Sequence, residues 1–154
     1  MVATNRSVIY STQITHIGSG ASVASNAINV STDVSTALSS TNLGRYDRAD
    51  LAVFISNSTS ISSASNTIIV YRRDINFDGT NDEPLPSTAT SAAFRPHQVG
   101  VITVPPWSVA STAYFNIPDV PITDQCEFYI ENLTNSTISA GWTIKVTPKS
   151  DSFA

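Results

Sequence analysis

One cysteine in 154 residues leaves no partner for an internal disulfide and no multi-cysteine zinc site. Charge is scarce as well: Asp, Glu, Lys and Arg make up 13% of the chain, about half the usual share of a soluble domain. The net charge of -4 offers no basic surface for phosphate, which excludes nucleic acid as a partner. Long apolar runs are missing. The clean ones are about four residues, such as residues 52–55, so no segment reads as a membrane span. The opening residues, MVATNR, lack the apolar stretch of a secretory signal. Serine, threonine and asparagine fill about a third of the positions, while a hydrophobic share of 41% is enough for a core.

Helix patterns are nearly absent. Only residues 32–40 have the makings of a short turn, and their β-branched and serine content argues against it. Period-2 alternation is widespread. In residues 137–147, Ile138, Ala140, Trp142, Ile144 and Val146 share one face. Cys126, Phe128 and Ile130 do the same in the next case, with Glu127, Tyr129 and Glu131 opposite on a wet or interfacial face. Leu51, Val53 and Ile55 make a third inward row. Residues 7–17, 21–31, 66–73, 98–104 and 110–117 bring the expected total to about eight strands. Asp78-Gly79 and the prolines at 84, 86, 105, 106, 118 and 121 punctuate them. The fold expected is all-β, a single-domain β-sandwich over residues 1–154. Residues 1–20 supply either its first strand or an N-terminal arm lying along a partner.

Charges gather in RYDRAD (residues 45–50) and YRRDINFDGTNDE (residues 71–83). In the second, Asp74, Asn76, Asp78, Thr80 and Asp82 place oxygen ligands at alternate positions around a glycine, as at the opening of a calcium loop. Position twelve of that pattern is Leu85 instead of a bidentate glutamate, and the flanks are strand-like, so a polar hairpin tip competes with calcium. No catalytic residues emerge. There is no Gly-x-Ser-x-Gly elbow, His16 and His97 lack metal-ligand spacing, and Cys126 falls on an inward face. Glu127 and Glu131 lie about 13 Å apart along a strand, too wide for a glycosidase pair. A carbohydrate-binding module is an alternative, with Trp107 and Tyr114 as sugar platforms. The Asn-x-Ser/Thr sequons, at Asn5, Asn29, Asn57, Asn132 and Asn135, are about the number expected by chance in so hydroxyl-rich a chain.

From Tyr71 onward the chain resembles small structural proteins of tailed bacteriophage virions, especially capsid decoration (cement) proteins. The likeness lies in YRRDINFDGTNDEP, the VGVITV strand and YFNIPDVPITDQCEFYIENLTNSTISAGWTIKVTP. It implies a jelly-roll-like sandwich without enzymatic activity or cofactor, assembled as a homotrimer on the exterior of the capsid and bound to the major capsid protein. Another phage tail or fibre β-sandwich is the neighbouring alternative.

Overall fold

A computed structural model describes residues 6–29, 31–57, 59–87, 95 and 97–153. Among these residues nine strands form: β1 (Arg6–Tyr10), β2 (Ile14–Gly20), β3 (Ala27–Ile28), β4 (Arg48–Ser56), β5 (Asn66–Asp74), β6 (His97–Thr103), β7 (Thr112–Pro121), β8 (Cys126–Thr134) and β9 (Trp142–Phe153). All pairings are antiparallel. One sheet has the order β1-β9-β4-β7, with β2 also on β9; the other has the order β3-β8-β5-β6. Because β1 and β2 follow each other along the same edge of β9, the sheets reduce to 2-9-4-7 and 3-8-5-6. That order is the double Greek-key wrapping of a jelly roll, the sandwich that the sequence led us to expect.

The inward rows follow the alternation. Ala49, Leu51, Val53 and Ile55 of β4 and Trp142, Ile144 and Val146 of β9 are fully buried. They face Ile68 and Val70 of β5 and Cys126, Phe128 and Ile130 of β8. Each large inward side chain contributes about 1.5–3 kcal/mol by leaving water. Trp142 is seated because its partner across the ladder is Gly20, where an added Cβ would lie 2.1 Å from the indole. The indole N–H donates to the Ala21 carbonyl. Pro118 and Pro121 sit in β7, a sheet edge, where a missing N–H is harmless.

Several expectations are corrected. Residues 7–17 are two strands, interrupted at 11–13. The break lies opposite Pro148, whose carbonyl accepts the Ser11 N–H but which has no N–H to return. The strand expected at 21–31 shrinks to β3 and an isolated bridge between Val23 and Ile138. Asn26 takes a left-handed φ of 58°, and the Asn29 side chain accepts the Ile130 N–H in place of a backbone partner. Ala140 is exposed, because Gly141 turns the chain at φ 93° before β9 begins. Short helical turns do form, at Ser31–Asp33 and Ser40–Leu43. The second starts where the Asn42 side chain accepts the Ser39 N–H, and it sets Leu43 into the core. Finally, Tyr129 and Glu131 are not wet: both are 1% exposed.

His16 is a further surprise. It is fully buried in β2 and ties the two sheets together, its Nδ1 facing the Thr36 carbonyl at 2.9 Å and its Nε2 accepting the Phe128 N–H at 3.0 Å. Those partners require the neutral ring with its proton on Nδ1. Burial, which penalises the charged form, pulls its pKa below 6.5, although both backbone bonds and Glu127 pull the other way. The unfolded chain therefore binds the proton more readily. The stability tied to neutral His16 is complete above pH 6.5 and drains away as pH falls below that value. Melting temperature is expected to drop between pH 7.5 and 5, and His16→Ala to flatten that drop while costing about 2–3 kcal/mol at pH 7.5, read from denaturant curves. Gly20→Ala is expected to destabilise at every pH by about 1–3 kcal/mol or more, because backbone and indole must both shift.

Candidate functional site

Three places carry chemistry or exposed apolar surface: the charged loop after β5, the outer sheet faces, and the ribbon formed by β1 with the end of β9. In the loop, the Asp74 carbonyl accepts the Glu83 N–H and the Asn81 carbonyl accepts the Phe77 N–H, so residues 74–83 close on themselves. Gly79, at φ 88°, makes the turn. Asp78 accepts the N–H groups of Thr80 and Asn81 and the Asn81 side-chain amide. Those bonds, led by the amide, hold its carboxyl below the ordinary aspartate value. Asp82 accepts the Asn76 N–H and faces Arg73 at 3.3 Å. Asp74 takes Arg72 at 2.9 Å and the Thr123 hydroxyl at 3.1 Å. The five calcium candidates thus lie along one loop, but Asp78 and Asp82 turn toward its backbone.

The loop instead brings Asp74 together with two residues that the spacing argument missed. His97, the first residue of β6, has Nε2 3.1 Å from Glu83 Oε1 and 3.6 Å from Asp74 Oδ2. The ligand atoms of all three lie within 4.8 Å of one another. The β5–β6 ladder places them, pairing Arg72 with His97. Beside this group is a cavity of about 410 Å³ walled by Asp74, the exposed Phe77, Asp124 and Gln125.

On the outer face of β4 and β7, Tyr114 is 76% exposed and lies 4.8 Å from Phe54, its cross-strand neighbour. Trp107 is elsewhere, half-buried against the core and bridged to Ile61. The two aromatics expected as sugar platforms therefore stand in different surroundings, and only Tyr114 is open. Phe54, its actual partner, falls on the outward half of an alternating strand, which was the signal available for it.

The outer face of β8 is closed by ion pairs. Glu131 receives the Arg95 guanidinium at 2.6 Å and the Tyr71 hydroxyl at 2.7 Å. Burial works to raise its carboxyl, but these bonds win and hold it below the ordinary glutamate value. Burial and the Glu131 bond push Tyr71 up to about 12. Beside it, Glu127 accepts from Arg73 and Tyr129. Cys126, on the inward face of the same strand, is pushed up to about 11 by burial, leaving a thiol rather than a thiolate at neutral pH. Asn57 and Asn132, two of the sequon asparagines, are buried and bonded to backbone on both ends of the amide.

No known protein family, curated protein or solved structure matches the chain.

The ribbon is the most exposed apolar element among the described residues. Beyond Lys149, where β4 ends, β9 continues with β1 alone. Val8, Ile9 and Tyr10 are 46%, 45% and 56% exposed, so both faces of the ribbon are open. Its root is clamped. Arg48 bonds Asp151 at 2.8 Å and Asp119 at 3.0 Å, and Lys149 reaches Asp50 and Asp119. The cluster RYDRAD thus anchors the place where the ribbon leaves the sandwich. Glu131→Ala, which strands Arg95 and removes the acceptor of Tyr71, is expected to cost about 2–3 kcal/mol in denaturant unfolding, since one side of the pair reaches solvent.

Proposed function

We propose that this chain is a structural protein of a tailed-phage virion, a decoration (cement) protein that binds the outer surface of the assembled head as a homotrimer and stabilises it without catalysis. The observation that carries the reading is the ribbon. Three consecutive apolar residues exposed on an unpaired sheet edge are a liability in a free monomer and a docking element in an assembly. Support comes also from the resemblance over residues 71–148 and from a jelly roll whose reactive groups, His16 and Cys126, are locked in its interior.

The mechanism is mass action. A ligand that binds the intact shell and not its ruptured form stabilises the shell in proportion to its occupancy. Joining copies multiplies a weak contact through effective concentration. Low surface charge suits this role, since hydroxyl and backbone groups dock without the desolvation cost of ions. Capsid contact is expected to be dominated by the ribbon rather than by the charged loop.

The test pairs light scattering with co-sedimentation on expanded capsids of the parent virus. The wild-type protein is expected to be trimeric at micromolar concentration and to pellet with capsids. The variant Val8→Thr, Ile9→Thr, Tyr10→Thr is expected to keep its melting temperature within about 2 °C and to lose one or both associations. A monomer that ignores capsids would overturn the proposal. The Tyr114–Phe54 pair supports a second reading, a carbohydrate-binding module; glycan-array binding lost on Tyr114→Ala would favour it.

A further inference from the structure

We propose that Asp74, Glu83 and His97 form a binding site for a divalent transition metal of the Zn²⁺ class. The three ligand atoms come from separate places in the chain: the last residue of β5, the closing residue of its loop and the first residue of β6. Their edges are the argument. Zinc bonds of about 2.0–2.2 Å to nitrogen and oxygen imply ligand-to-ligand edges of about 3.3–3.6 Å in a tetrahedron. The two His97 edges are close to that range, 3.1 Å to Glu83 Oε1 and 3.6 Å to Asp74 Oδ2, and the Asp74–Glu83 edge is within 4.8 Å.

The donor chemistry selects the ion. One imidazole with two carboxylates suits zinc, manganese or cobalt, whereas calcium asks for six to eight oxygens and has no use for imidazole. Glu83 is already aimed, because its other oxygen accepts the Asp74 N–H at 2.8 Å. Asp74 is aimed by Thr123 and Arg72, whose guanidinium also donates to Oδ2 at 3.2 Å and makes Asp74 the weakest of the three ligands. Arg72 offsets one of the two carboxylate charges, which leaves the neutral-imidazole site with a net single negative charge for a divalent cation. His97 is half exposed, which gives the ion its path in and lets water complete the shell from solvent. The site is separate from the ribbon, so it stands or falls independently of capsid binding.

Calorimetric titration of chelator-treated full-length protein with ZnCl₂, MnCl₂ and CaCl₂ tests it, alongside melting curves. Zinc is expected to bind once per chain with micromolar affinity and, at a hundredfold excess over Kd, to raise the melting temperature by about 5 °C or more. His97→Ala is expected to lower zinc affinity at least tenfold. Glu83→Gln, which keeps an acceptor for the Asp74 N–H, is expected to do the same without lowering the metal-free melting temperature. No heat with zinc, zinc binding unchanged in His97→Ala, or calcium binding tighter than zinc would each overturn the assignment.

Discussion

Strand β9 is hydrogen-bonded along both edges, to β1 and β2 on one side and to β4 on the other, and most of the fold depends on its register. Its inward residues Trp142, Ile144 and Val146 alternate with Thr143, Lys145 and Thr147. A slip of one position would exchange the two sets and bury a lysine. Gly20 opposes that slip on one edge, because the indole packs where a Cβ on residue 20 would lie 2.1 Å from it. Pro148 acts on the same edge from the other end, breaking the ladder where it has no N–H to give. The long strand is thereby divided into an inner half that closes the core and an outer half that supports the ribbon.

The low charge content has a consequence for how the second sheet is sealed. With few ionic groups to spend, the chain concentrates them where the sheet's outer face would otherwise expose tyrosines. Tyr71 and Tyr129 each donate to a glutamate on β8, and each glutamate is matched by an arginine. A buried carboxylate is tolerable only with its partners in place. The arrangement makes the β5–β8 part of that face an ordered polar layer. Hydroxyl side chains do the corresponding work at chain turns, where Thr134, Ser136 and Asn132 satisfy one another and the local backbone.

How much of this was legible in the sequence depended on distance along the chain. Alternation is a local property, so the inward rows of β4, β8 and β9 could be read directly. Ala140 shows the limit: it keeps the period by coincidence across a turn made by Gly141. Turn chemistry was legible too, in that Asp78-Gly79 does close a loop. The side chains of Asp78 and Asp82 could not be read as turned inward, because spacing says nothing about competition from backbone N–H groups. Glu83 and His97 were out of reach for a different reason. They lie nine and twenty-three positions after Asp74, and only the pairing of β6 with β5 brings them beside it. Burial of Glu131 likewise depends on Arg95, and that of Tyr129 goes with Glu127 and Arg73, both arginines being distant in sequence. His16 was illegible on both counts, since its partners are backbone groups of a loop and of the opposite sheet.

The two halves of the first edge differ in what their removal would cost. Lifting β2 would uncover Ile17 and His16, break the His16 bond to Phe128 and unseat Trp142 from Gly20. Lifting β1 frees side chains that are already open to solvent, Val8, Ile9 and Tyr10; the loss is a five-residue ladder and the Tyr10 ring over the buried Lys149. A net hydrogen bond exchanged for water is worth only about 1 kcal/mol. The ribbon is therefore the part of the molecule that can change partners cheaply, while the clamp of Arg48 and Lys149 at its root keeps any rearrangement from spreading into the core. A rigid sandwich with one apolar, backbone-rich edge suits the assembly role proposed above. The body can be built before the partner is met, and the edge can be completed by it.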